Sequence, residues 1–234
     1  MSVPDELLAL ALARPHEALK IAHDRLAAHP TPYEASVARQ TAGIAHRVVG
    51  EFVPAIRELR AALRLARASG ARDREIDVLA SLGATLARAG RTEEGLAALD
   101  LAVLHSQGAA AGRVLLRRAD VLMVLTRYAD ALDDLRGAVM RLRRAGDTVW
   151  EARSLSHRAF TYLAVGHVAR ADGDFVVAER LFASCGQDLE YAMTRHNRGL
   201  VAFARGDLPA ALTYLDEAGQ RYEEIGRASC RERV

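Results

Sequence analysis

The sequence predicts an all-α fold, a stack of antiparallel helix pairs, on three observations. Ala, Leu and Arg, all strong helix formers, dominate it, and no stretch alternates apolar and polar residues as a strand would. Turn residues punctuate the helical pattern at Gly50, Gly90, Thr126, Gly166 and Gly206, with separations of 40, 36, 40 and 40 residues. Around every one of these turns the same side-chain sizes return at the same offsets.

Those offsets define the packing. Seven residues before the turns stand Gly43, Gly83, Ala119, Ala159 and Gly199, all small. Five after stand Ala55, Gly95, Ala131, Ala171 and Ala211. Nine after stand Leu59, Leu99, Leu135, Phe175 and Leu215, all large and apolar, and twelve after comes Ala62, Ala102, Ala138, Ala178 or Ala218. Two antiparallel helices approach closely only where the facing positions lack bulk, and one large side chain per pair then fills the remaining gap. Each pair leaves an apolar face for the next to cover, so the pairs must stack.

In chain order, residues 1–30 read as an imperfect first pair, Asp5–Ala13 and Ala18–Ala28, with Pro15 where a first helical turn tolerates it. It resembles a terminal capping unit. Five regular pairs fill residues 31–224. Thr31, Pro32 and Glu34 open the first of these as a capping box, and its helices run to about Val49 and over Val53–Ser69, before Gly70. The others are Arg72–Arg88 with Thr92–Ser106, Ala110–Leu125 with Tyr128–Ala145, Thr148–Val165 with Val168–Ser184, and Asp188–Arg205 with Leu208–Glu224. Thr148 and Glu151 again have capping-box spacing.

The quartet Gly83, Gly95, Leu99 and Ala102, with its equivalents, resembles the tetratricopeptide repeat (TPR) over about residues 31–224. Two departures stand out: a period mostly of 40 rather than about 34, and Leu at most of the family's aromatic positions. HEAT and armadillo repeats have nearer periods of about 40–47 but do not require this small–small–large–small set. The resemblance implies a right-handed superhelical solenoid whose concave groove is lined by the first helix of each pair. Carried over by register, that groove contains Gln40, Arg47, Asp77, Arg88, Arg113, Asp120, Met123, Arg153, Ser156, Phe160, Met193, His196 and Phe203. It is basic at points and apolar toward the C-terminal half, which suits a peptide with acidic groups and an apolar anchor. Against that, helix-spaced apolar residues such as Phe160, Leu200 and Phe203 are more often core between repeats.

The resemblance implies a scaffold for protein–protein interaction, with a protein or peptide partner. Segments such as Arg144–Arg153 and His196–Phe203 resemble the N-terminal region of actinobacterial CHAT-domain proteins. That implies a regulatory or recruitment arm for a downstream effector, or alternatively a fragment of a caspase-like CHAT peptidase. No residue here matches the CHAT His/Cys pair. A self-assembling scaffold, joined through an exposed last repeat, is the third reading.

Several functions lack their chemistry. Net charge is +2 from 32 basic and 30 acidic residues, so no global field draws nucleic acid or membrane. The arginines Arg57, Arg60, Arg64 and Arg67, and Arg141, Arg143 and Arg144, read as solvated faces with Glu58, Asp133 and Asp134 nearby. Lys20 has no phosphate loop before it, and no hydrolase elbow, His-Glu-x-x-His or metal-ligand set occurs, so no catalytic residue, cofactor or metal is expected. Cys185, at a helix end where the dipole would raise a thiol's pKa, reads as a packing or surface thiol. The first residues show no basic n-region and the apolar run Leu7–Ala13 is too short to span a bilayer, so a cytoplasmic location is expected. Residues 225–234, Ile-Gly-Arg-Ala-Ser-Cys-Arg-Glu-Arg-Val, resemble the translation of a sequencing adapter and are expected to be non-native, Cys230 included.

Overall fold

The computed structural model of the chain describes residues 3–231, a few of them by backbone alone. The described residues form twelve α-helices and no strand. The chain divides into two compact units, one up to Val121 and one from Leu122.

The first unit holds α1 (Val3–Ala13), α2 (Pro15–Ala27), α3 (Pro32–Val48), α4 (Phe52–Ala68), α5 (Arg72–Arg88), α6 (Thr92–His105) and most of α7 (Gly108–Val124). α3 packs on α4 and α5 on α6, while α2 covers α3 and α4 meets α5. Ala11, Ala18, Ile44 and Ala45 form one buried cluster and Ala22, Ala38 and Ala42 another, so the first two helices close the apolar face of α3. At Thr31 the capping box is complete: the hydroxyl accepts from the Glu34 N–H, and the Glu34 carboxylate accepts from the Thr31 N–H at 2.9 Å.

The second unit holds α8 (Tyr128–Ala145), α9 (Thr148–Ala164), α10 (Val168–Ser184), α11 (Asp188–Ala204) and α12 (Leu208–Arg231), each packed on the next except α12, the last. Here the structure corrects one expectation. Asp147, not Thr148, caps α9 and accepts from the Trp150 N–H. Thr148 is already helical, and Glu151 instead takes the Arg143 Nε–H at 2.8 Å. A carboxylate one residue earlier is the better acceptor for the exposed amides and for the helix dipole. α12 also runs past Glu224 and through Gly226 to Arg231, in a stretch with no proline and no left-handed glycine to stop it. Of the adapter-like tail, 232–234 lie outside the described residues.

The small-residue seam is visible atom by atom. A Cβ built on Gly43 would stand 2.6 Å from Leu59 Cγ, and one on Gly199 2.9 Å from Leu215 Cγ. Ala62, Ala102, Ala138 and Ala178 are fully buried, as are Leu59, Leu99, Leu135 and Phe175. The turns adopt the left-handed conformation, which glycine enters freely, but at Thr126 the same conformation (φ +58°) is held by a β-branched residue. Thr126→Gly is therefore expected to stabilise the protein by about 1 kcal/mol, read as a rise in urea midpoint.

Candidate partner-binding site

Within the first unit, the repeat period brings residues one repeat apart into contact. Gln40 on α3 is fully buried, and its amide N–H groups go to Asp77 Oδ2 and Ser81 Oγ on α5, both at 2.9 Å. Its carbonyl accepts from Arg74, which is 6% exposed and also reaches the Ser36 carbonyl at 3.2 Å. From α7, Arg117 Nη1 lies 3.1 Å from Asp77 Oδ1. Gln40 and Asp77 thus belong to a polar network that ties α3, α5 and α7 together. Arg74 and Arg117, absent from the sequence-predicted groove, complete it. The usable signal was the spacing: these contacts span 34 to 41 residues, one repeat.

The cations are unevenly balanced. Burial alone would raise the Asp77 carboxyl, but Arg117, the Gln40 hydrogen bond and Arg74 outweigh it and hold it below the ordinary aspartate range. Arg47, in the last turn of α3, is half-buried, and its Nε is sealed from solvent with no hydrogen-bond partner among the described residues. Burial, then the positive charges of Arg88 and Arg117, lower its pKa to about 10. Arg88, exposed in the last turn of α5, has no acidic partner among the described residues. Arg47 and Arg88 therefore stand beside Arg117 as a basic cluster, in which Arg117 is paired with Asp77. Arg113 and Asp120, half-buried on α7, are the other groove positions of this unit.

In the second unit the predicted positions are mostly apolar. Met123 is half-buried, and Phe160 on α9 meets the buried Phe175 edge-on, with ring centroids 5.2 Å apart. Met193, Leu200 and Phe203 on α11 are 49%, 45% and 65% exposed, and His196 lies exposed among them. Packing-core status, the commoner fate of such residues, is not theirs, because no further helix lies on this face of α11 among the described residues. Arg153 is already engaged, with Glu190 at 2.6 Å and its guanidinium 5.1 Å from the Trp150 ring. Ser156 is half-buried, and its hydroxyl lacks a partner among the described residues.

Elsewhere, Arg57, Arg60 and Arg67 find Glu58, Glu94 and Glu75 respectively, as a solvated face does. Cys185 is half-buried at the C-terminal cap of α10. Among the described residues no cluster of three or more His, Cys, Asp or Glu could hold a metal ion, and no helix is long and apolar enough to cross a membrane.

No family model matches the chain, and no curated protein does. Solved structures do. BtubC (BKLC) from P. vanneervenii is similar with a TM-score of 0.71 and 19% identity, over 97% of this chain and 93% of that one. A Rap protein complexed with Competence and Sporulation Factor gives 0.71 and 14%, over 96% and 67%. The TPR-like repeats of a P. anserina kinesin light chain give 0.66 and 13%, over 85% and 99%. These likenesses show the fold: the chain is built as the TPR-like helical repeat proteins are.

Proposed function

We propose that the chain is a protein-interaction scaffold that binds an extended peptide or partner segment along its first helices. One observation carries the reading. Arg47, beside the positive charges of Arg88 and Arg117, is held there against the cost of burial, and its Nε has no hydrogen-bond partner among the described residues. Carboxylates of a partner would relieve that cost; within the second unit, the exposed Phe160, Met193, Leu200 and Phe203 are separate candidates for apolar contacts. The Rap neighbour was solved with a bound factor, which accords with a peptide-binding use of this fold.

The test is fluorescence anisotropy with a labelled peptide that carries Glu-Glu. Arg47→Gln with Arg88→Gln should weaken binding about tenfold or more and flatten its salt dependence. The fold should survive, since Arg47→Gln removes a charge that is unfavourably placed. Equal binding by the double variant would overturn the reading.

In the finer form of the proposal, the array is the cytoplasmic regulatory arm of a larger protein with a CHAT-type effector. Support comes from the wording of the repeats, and reading the gene through and beyond residue 234 tests both this and the non-native origin of residues 225–234. Self-assembly is the second reading, favoured by Leu208 and Leu212, 54% and 69% exposed on α12. Light scattering that shows a monomer at high concentration would dismiss it. Neither nucleic acid nor membrane is among the proposed partners.

A further inference from the structure

One repeat is shorter than the rest, and the difference is one helical turn. Gly50 to Gly90 spans 40 residues, but Gly90 to Thr126 spans 36. The loss falls at the end of α6, which has 14 residues where α4 and α10 have 17. Four residues are about one turn.

The missing turn has a consequence for packing. Sixteen residues after the turns stand Ala66, Leu142 and Phe182, all buried in the last turn of their second helices. The equivalent in the short repeat is Ser106, which has left the helix and is extended (ψ 152°). Fourteen residues before the turns, Ile76 is the counterpart of Ala152, and Ala152 shares a buried cluster with Phe182. In the short repeat the counterpart of Phe182, Ser106, lies outside the helix, while Ile76 itself is 5% exposed. A cavity of about 370 Å³ lies beside it, between the start of α5, the end of α6 and the start of α7.

The cavity is half open to solvent and its lining is mixed polar and apolar. Ile76, Leu104 and Ala110 supply apolar wall, with Leu104 75% exposed at its side. Arg72, Asp73 and Gln107 supply polar groups, and Arg72 also reaches His105 Nδ1 at 3.4 Å. The opposite charges of Arg72 and Asp73 cancel, so the pocket does not select an ion. Together with Gln107 they present donors and acceptors side by side, as a neutral peptide group requires. An apolar cavity of about 150 Å³ already takes a benzene ring, so this one has room for an aromatic side chain.

We propose that this cavity is a side-chain pocket for a partner polypeptide. It takes one apolar side chain of leucine or phenylalanine size, while Arg72, Asp73 and Gln107 hydrogen-bond the flanking peptide groups. None of its residues belongs to the basic cluster or the α9–α11 apolar positions, so this proposal and the groove reading stand or fall separately.

The test is an amide-resolved NMR titration of the whole chain with N-acetyl-phenylalanine methylamide and, in parallel, N-acetyl-alanine methylamide. The phenylalanine probe should shift the amides of Arg72, Asp73, Ile76, Leu104 and Gln107, and bind about tenfold or more tighter than the alanine probe. Ala110→Trp, at an exposed position, should fill the cavity and abolish the response while leaving the helical circular dichroism unchanged. Equal response to the two probes, shifts confined to other residues, or a full response in the Trp variant would overturn the proposal. Should Ala110→Trp unfold the chain, Leu104→Ser serves in its place: it should weaken the phenylalanine probe and leave the alanine probe unaffected, and an unchanged response would overturn it.

Discussion

Replacing Gly83 by leucine is expected to pry α5 from α6 and lower the urea midpoint. A Cβ at Gly83 would lie 2.8 Å from the Gly95 carbonyl oxygen and 2.8 Å from Leu99 Cγ. The first of these is backbone, which cannot rotate aside. From the other side, a Cβ on Gly95 would stand 2.7 Å from the Gly83 carbonyl oxygen and 2.8 Å from the Ala87 nitrogen. Each glycine therefore meets the backbone of the facing helix, with no room for a Cβ on either side. Gly83→Ala should cost about 1–3 kcal/mol as overpacking, and leucine should reach or exceed the upper end. Gly173→Ala provides the control, since Gly173 is helical with nothing within 4 Å of its would-be Cβ. There the same substitution should stabilise by about 0.5–1 kcal/mol. An unchanged midpoint for Gly83→Leu would mean that the helices do not meet at this seam.

The second large effect is expected at Asp77. Asp77→Ala removes the carboxylate shared by Gln40, Arg74 and Arg117. Arg74, buried, would keep only the Gln40 and Ser36 carbonyls, which leaves a guanidinium uncompensated inside the fold. Breaking a buried pair in this way costs about 3–5 kcal/mol, and the partial exposure of Asp77 places this case at the lower end. The pH dependence follows from the sign of the shift. Asp77 is held below its unfolded value in spite of burial, chiefly by Arg117, Gln40 and Arg74. Its contribution is complete above the ordinary aspartate range and is lost as pH falls through the lowered folded value. The stability gap between wild type and Asp77→Ala, measured by urea melts from neutral to acid pH, should therefore narrow on acidification. A gap that stays constant would show that the ionised carboxylate is not what matters.

Much of the fold was legible in the sequence because it rests on residue size at fixed offsets. Gly43, Gly83, Gly95 and Gly199 announce close helix approach, and the structure puts atoms of the partner helix within 3 Å of where their side chains would be. The cap of α9 was misplaced by one residue, because Asp147 and Thr148 are both good caps and only the backbone path decides between them. The candidate site was less legible. Gln40 looked like a groove residue and is a buried tie between helices; Arg74, which no expectation singled out, is the most buried arginine of that tie. Periodicity assigns a position to a helix face, but it does not say how far the next helix covers that face.

By itself the sequence determined the helix pairs, their stacking and the identity of the residues that let them approach. These depend on side-chain volume and helical period, which are local properties repeated along the chain. Only the tertiary structure decided which polar groups are satisfied. Arg117 meets Asp77 while Arg47 keeps a sealed Nε with no hydrogen-bond partner among the described residues. It also turned the one-turn deletion in α6 from a break in the count into a cavity beside Ile76. Both outcomes depend on the distance between residues one repeat apart, and that distance is set by packing rather than by sequence separation.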